Sequence, residues 1–177
     1  MSQHMCVHLS DFRKTGKTWQ WEISPERLMS DEGSVNPLVG VCAIATWQGS
    51  IEYAHGIYSL NGSWQVPILR QCVRCLCDFE WLAKHECQRK YSLTEPQDLD
   101  DEEKLDIEVI PLSDTLNLMD VLREDIWLAW EACVVCSNTC KGLCQSCGMN
   151  LNQGHCECNA LASNHPFAAL AAMKFDK

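Results

Sequence analysis

The sequence predicts an α+β fold: an antiparallel β-meander curling into a barrel-like sheet, one long helix, a C-terminal segment of the zinc-knuckle kind and a short terminal helix. Three observations carry this. Apolar residues alternate with period two through much of residues 38–70, the pattern of half-buried strands. The stretch leading to Trp130 instead sets Leu118, Leu122, Ile126, Ala129 and Trp130 on a helical period. Between Cys136 and Cys158, six cysteines fall within 23 positions at spacings that suit tetrahedral coordination.

Taken in order, Trp19-Gln-Trp21-Glu-Ile23 alternates as a strand whose tryptophans pack on a sheet, and Ser24 to Leu28 reads as a turn or brief helix. Val39, Val41, Ala43, Ala45 and Trp47 form the next strand, with a turn at Gln48-Gly49-Ser50 before Ile51, Tyr53 and Ile57. Asn61-Gly62 predicts a type I′ hairpin, because both residues tolerate positive φ. Trp64, Val66 and Ile68 then climb toward Cys72, and Asp78 to Tyr91 pairs as a further strand. An acidic loop runs from about Glu95 to Lys104, and Leu105, Ile107 and Val109 make a short strand stopped by Pro111. Ser113 or Asp114 caps the long helix. Pro166 opens the last one, with Phe167, Leu170, Ala171 and Phe175 on one face. The whole reads as one domain: a β-rich half over 1–94 with the first cysteine pair, the acidic loop 95–104, and 105–177 with the helices and the metal-binding segment.

A formal net charge of −10 argues against a protein that grips its partners by neutralising phosphates. Asp98, Asp100, Asp101, Glu102 and Glu103 concentrate acid in one place, either a solvated linker or a docking surface for a basic partner. Met1 to Asp11 contains no apolar run of signal-peptide length, and no segment reaches membrane-spanning length. With 13 cysteines, an odd number, this favours thiolates on a metal in a reducing compartment over a disulfide framework.

The cysteines then sort by spacing. A CxxC turn presents two sulfurs to one point, and Gly148 after Cys147 suits the left-handed residue such a turn needs. Cys144, Cys147, Cys156 and Cys158 make one four-thiolate site; Cys72 and Cys75, joined by Cys136 and Cys140 at the end of the long helix, make another that clamps helix to sheet. Spacing alone leaves other partitions open, and His155 beside Cys156 is an alternative ligand whose plainer reading is a loop residue. Cys6, Cys42, Cys77, Cys87 and Cys133 are left as packing or incidental thiols. Neither CxxC pair stands at a helix N-terminus in a βαβ setting, which weighs against thiol redox chemistry. Closed four-thiolate zinc sites keep no position for a reacting water, and the sequence carries no catalytic motif. The expectation is a binding or assembly protein with two zinc ions and no small-molecule substrate.

Cys72-Val-Arg-Cys75-Leu76, then Leu122-Arg-Glu124, Cys140-Lys-Gly-Leu-Cys144-Gln-Ser-Cys147-Gly-Met-Asn-Leu-Asn152 and Cys156-Glu-Cys158 resemble the bacterial and plastid YceD family. His165 to Lys174 resembles its terminal helix, so the likeness runs from 72 to 174. Family patterns often carry prolines before Cys136 and after Cys144, where this chain has Trp130-Glu131-Ala132 and Gln145; that bears on local turns and not on the ligands. Some members lack the second cluster while keeping metal-capable residues at the positions of Cys72, Cys75, Cys136 and Cys140, which supports the partition. The resemblance implies a bacterial cytoplasmic, non-enzymatic factor in large-subunit ribosomal RNA accumulation, encoded near a small protein of the large ribosomal subunit. Its expected partner is a ribosomal protein or an rRNA-processing factor. The alternatives are a zinc-ribbon module that contacts RNA through Arg70, Arg74 and Lys141, and a thiol redox protein.

Overall fold

The structure, a computed structural model, describes residues 5–29, 38–96, 100–110 and 114–158. Its elements are β1 (Cys6–His8), a 3-10 turn (Leu9–Phe12), β2 (Lys17–Ile23), α1 (Pro25–Met29), β3 (Ala45–Ala54), β4 (Ile57–Gln71), β5 (Asp78–Ser92), α2 (Asp101–Leu105), β6 (Ile107–Val109), β7 (Thr115–Asn117) and α3 (Leu118–Leu128). Five strands form one sheet in the order β2-β3-β4-β5-β6, and β1 pairs with β7 in a second, two-stranded sheet. The chain divides into two compact units. One comprises residues 1–70 and 79–132; the other comprises 71–78 and 133–177. The expected terminal helix, with Pro166 to Phe175, lies outside the described residues.

In the first unit, alternate residues of each long strand face one core. Trp47, Ile51, Tyr58, Leu60, Trp64, Ile68, Ala83, Cys87 and Tyr91 are buried, and Leu118, Leu122 and Ile126 of α3 join them at helical spacing. Trp19, Trp21 and Trp47 meet edge to face or stacked, with centroids 5.3 to 5.7 Å apart, so the tryptophans are sheet-packing residues. Cys87 is a packing residue too: burial pushes its thiol up to about 12, far from reactive thiolate. Among the described residues, no helix is long and apolar enough to cross a membrane.

The sheet is open and not barrel-like. Its last strand, β6, has three residues and pairs in parallel with Lys90 to Ser92 of β5, so neither the stagger nor the length for closure is there. Both expected turns, at Gln48-Gly49-Ser50 and at Asn61-Gly62, are interior to strands. Gly49 and Gly62 face each other across β3 and β4, and Trp19 faces Gly49 from β2. A Cβ on Gly49 would lie 2.6 Å from Trp19 Cζ2 and 2.8 Å from the Asn61 carbonyl oxygen. One on Gly62 would lie 2.6 Å from the Gln48 oxygen. These glycines serve close approach under an indole and do not turn the chain. The turn is His55-Gly56, with φ of 51° and 85°, the double positive φ of a type I′ hairpin. Gly49→Ala is therefore expected to destabilise the first unit by about 1–3 kcal/mol through overpacking. Urea unfolding followed by tryptophan emission tests this, and a loss below roughly 0.5 kcal/mol would match an ordinary surface change instead.

The long helix is shorter than expected and starts later. Ser113 lies outside the described residues, while Asp114 takes φ 45° and bonds His8 and Ser10 instead of capping. Residues 115–117 pair with β1, and the cap is Asn117, whose side chain accepts from the Met119 N–H at 3.1 Å. The C-terminal end comes at Leu128, with the Ala129 N–H closing on Asp125. Val39 is exposed and the strand begins only at Ala45; Leu105, expected in the strand with Ile107 and Val109, instead ends α2, a single helical turn that begins in the expected acidic loop, and points to solvent.

The β1–β7 pair is buckled by charge. Asp114 accepts from Ser10 Oγ, and its Oδ1 lies 2.9 Å from His8 Nδ1. The hydrogen bond and charge of Asp114 raise His8 above its ordinary 6.5, and the bonds from Ser10 and His8 lower Asp114 below its ordinary 3.8. A raised histidine stabilises below 6.5 and loses that contribution as pH rises through its folded value; a lowered carboxylate stabilises above 3.8 and loses it as pH falls through its own. Protection of the Leu9 amide, bonded to the Asp114 carbonyl at 2.7 Å, is expected to be lower in His8→Ala than in wild type between 3.8 and 6.5. The difference should shrink above that range. A pH-independent difference would assign His8 a packing role only.

Candidate metal centres

Among its described residues, the second unit has almost no apolar core. The buried hydrophobic side chains among them are Val134 and three cysteines, Cys72, Cys75 and Cys140. Apart from the strand ends Gln71 and Asp78, the regular structure among its described residues is one isolated bridge between Leu143 and Asn150. So little buried surface among the described residues does not balance the entropy of ordering them, and segments of this kind rely on disulfides or metals.

The eight cysteines singled out by spacing fall into two groups of four. Within Cys72, Cys75, Cys136 and Cys140, and within Cys144, Cys147, Cys156 and Cys158, all sulfurs lie within 4.8 Å of one another. In the first group the Cys72–Cys140 separation is 3.8 Å and Cys75–Cys136 is 3.6 Å. Four sulfurs at about 2.3 Å from a central zinc stand about 3.8 Å apart along each tetrahedral edge. A disulfide would need about 2.05 Å, and all 13 cysteines are free. The donor set and its spacing fit a tetrahedral, thiolate-loving ion. His155, Cys77 and Cys133 belong to neither group.

The two CxxC segments fold alike. The Cys72 N–H donates to the Cys77 carbonyl at 2.9 Å and the Leu76 N–H returns to Cys72 at 2.9 Å; the Cys144 N–H donates to Met149 at 2.8 Å and the Gly148 N–H returns to Cys144 at 2.9 Å. Each knuckle is closed by a left-handed residue, Leu76 with φ 57° and Gly148 with φ 72°. Glycine takes that conformation freely, whereas leucine gives up roughly 1–2 kcal/mol. The other clustered cysteines come from irregular chain. Cys136 and Cys140 follow α3 by eight residues or more, so no helix carries them, and the expected helix-to-sheet clamp is replaced by a tie within the second unit. Val73 N–H bonds Val134 at 3.0 Å and Leu143 N–H bonds Arg74 at 3.0 Å, laying both segments against the first knuckle. Gly142, at φ 75°, lets that strand of chain in: a Cβ there would meet the Arg74 oxygen at 3.1 Å.

Backbone polarity prepares the sulfurs. Burial pushes the Cys72 thiol up, but the N–H groups of Cys136, Cys75 and Arg74 outweigh it and bring it down to about 6. The N–H groups of Cys147 and Ser146, then the Cys156 thiol, bring Cys144 down to about 6. Cys75 and Cys158 are displaced the other way. Cys75 gains an N–H from Cys77, yet burial and the sulfurs of Cys72, Cys136 and Cys140 push it up to about 12. Contact with Cys147, then burial, pushes Cys158 up to about 12 as well. Each group thus sets a thiol lowered by backbone N–H groups beside one pushed up by its neighbours, a penalty that a central dication inverts while releasing the proton.

With four sulfurs filling a tetrahedron, an ion in either group would have no open position for substrate, so its chemistry would be structural. Sequence reasoning reached the eight clustered cysteines through spacing but missed Asn150 and Asn152. Asn152 Nδ2 lies 3.3 Å from Cys140 Sγ and Asn150 Nδ2 lies 3.2 Å from Cys77 Sγ, contacts that no spacing announces.

The family model described as Large ribosomal RNA subunit accumulation protein YceD matches residues 60–174, a stretch that contains all eight clustered cysteines. No curated protein and no solved structure matches the chain. Because the matched stretch is well over half of the 177 residues and takes in both cysteine groups, the chain belongs to the YceD family.

Proposed function

We propose that this protein is a non-enzymatic factor in large ribosomal subunit biogenesis, supporting accumulation of the large-subunit ribosomal RNA in the bacterial cytoplasm. Two zinc ions, one in each cysteine group, hold the second unit in a fixed shape that a partner recognises. The observation that carries the reading is a family match that takes in both four-sulfur clusters, which stand where the described residues of the second unit have almost no apolar core. Four thiolates per site favour zinc over harder ions.

A net charge of −10 supports a basic ribosomal protein as the direct partner over bare RNA. The arginines considered for RNA contact have internal roles that agree with this. Arg70 is stacked between Trp81 and Trp130, 5.1 and 4.0 Å from their centroids, and donates to the Glu131 carbonyl at 2.7 Å. Arg74 donates to the Cys140 carbonyl at 3.3 Å, bracing the first centre. Depleting the protein is expected to lower large-subunit RNA relative to small-subunit RNA and to leave the large subunit under-represented in gradients. Unchanged RNA levels and normal subunit profiles would refute the proposal.

A further inference from the structure

The segment Gly148-Met-Asn-Leu-Asn152 lies between Cys147 and Cys156, two sulfurs of the second group, yet Asn152 turns to Cys140 of the first and Asn150 to Cys77 beside the first knuckle. Asn152 Oδ1 accepts the Lys141 N–H at 2.8 Å. That bond fixes which end of the amide is oxygen, since a backbone N–H can only donate. Asn152 Nδ2 is then directed at Cys140 Sγ, 3.3 Å away, with Asn150 Oδ1 at 2.9 Å. Asn150 Oδ1 also accepts the Asn152 N–H at 3.0 Å, while its own Nδ2 donates to Cys77 Sγ at 3.2 Å. Both side chains are thereby locked, and the lock depends on the course of a loop that begins and ends in second-group ligands. This loop is also tied to its neighbour by the Leu151 N–H to Gly142 bond, 2.9 Å, the Cys144 N–H to Met149 bond, 2.8 Å, and the Gly148 N–H to Cys144 bond, 2.9 Å.

We propose that Asn152 is a positioning residue for the first centre, and that a metal in the second centre, by fixing this loop, raises the affinity of the first. The proposal rests on the reading of both groups as metal sites. Four thiolates around a dication leave an excess charge of two; an amide N–H on one sulfur offsets part of it and holds that sulfur in place. The coupling is reciprocal, as linkage requires.

Cobalt(II) titration of the full-length apoprotein, read by thiolate-to-metal charge-transfer absorbance and by competition with a chelator, tests this. Wild type is expected to bind two ions. Asn152→Ala removes the donor and the Lys141 contact; Asn152→Asp keeps the Lys141 contact but loses the donor. Both are expected to weaken the first centre by about 10- to 100-fold and to spare the ligands of the second. Loss only in Asn152→Ala would mean loop bracing, loss only in Asn152→Asp would mean charge repulsion, and either overturns the proposal. Cys156→Ser with Cys158→Ser should weaken the first centre by a similar factor, with little further loss when Asn152→Ala is added. Full additivity, or an unaffected first centre, overturns the coupling. A wild-type chain that takes up no cobalt overturns this inference together with the metal reading, whereas two ions with indifferent asparagine variants overturn this inference alone.

Discussion

Replacing Cys72 by serine is expected to abolish the order of residues 133–140 and of the 72–77 knuckle while the five-stranded sheet stays folded. Among described residues the second unit buries little besides Val134 and cysteines, so under the proposed two-zinc reading the free energy of metal binding is its folding free energy. Structural zinc contributes on the order of 10 kcal/mol in small modules, far above the contribution of one buried aliphatic residue, about 1.5–3 kcal/mol. The seven tryptophans make the two units separable, since every one lies in the first. Tryptophan emission and its urea midpoint should therefore change little, while amide protection at Val73, Cys140 and Leu143 should collapse. A strong chelator should reproduce the effect on wild type. Retained protection in Cys72→Ser would show that packing and backbone hydrogen bonds suffice without the fourth sulfur.

The other large effect is expected in the first unit. Asp125, 8 % exposed, accepts the Trp64 Nε1–H at 2.5 Å and pairs with Arg89 at 3.5 Å. It ties α3 to β4 and β5. Truncation to alanine leaves an indole N–H and a largely buried guanidinium facing each other without their shared acceptor, at a cost of about 3–5 kcal/mol. Glu124 compensates poorly: it stands 3.3 Å from Arg89 but is 58 % exposed. Asp125→Asn retains an acceptor for Trp64 and should lose less, roughly half as much. Adding Trp64→Phe to Asp125→Ala should then cost less than it does in wild type, because the donor it removes has already lost its partner. Thermal unfolding followed by tryptophan emission reads all four. A cost below about 1 kcal/mol for Asp125→Ala would mean that water replaces the carboxylate and that the contact is not a buried one.

What the sequence made legible follows from the range of each interaction. CxxC spacing is a local signal, set by the geometry of one turn, and it picked out both knuckles; adding ligands in fours then joined Cys72 and Cys75 to residues more than sixty positions away. Strand positions such as Trp47, Trp64 and Ile68 were legible because alternation reports burial directly. Glycine was the ambiguous letter. Gly49 and Gly62 suit a turn as readily as a close approach, and only the arrival of Trp19 from another strand decides between them. His55 gave no turn signal, although it takes the left-handed conformation next to Gly56. The helix start shifted from Asp114 to Asn117 because β1, more than a hundred residues earlier, claims Thr115 to Asn117 as a strand. Asn150 and Asn152 read as loop composition, since nothing along the chain shows the sulfurs of Cys77 and Cys140 beside them.

Elemental analysis of the native protein, purified without chelator, bears most directly on the two-centre architecture. Wild type should carry two zinc ions per chain, with one lost on replacing Cys72 and Cys75 and a different one lost on replacing Cys144 and Cys147. A metal-free protein whose second unit remains ordered would contradict the account, because the clustered sulfurs would then be holding that unit together without an ion.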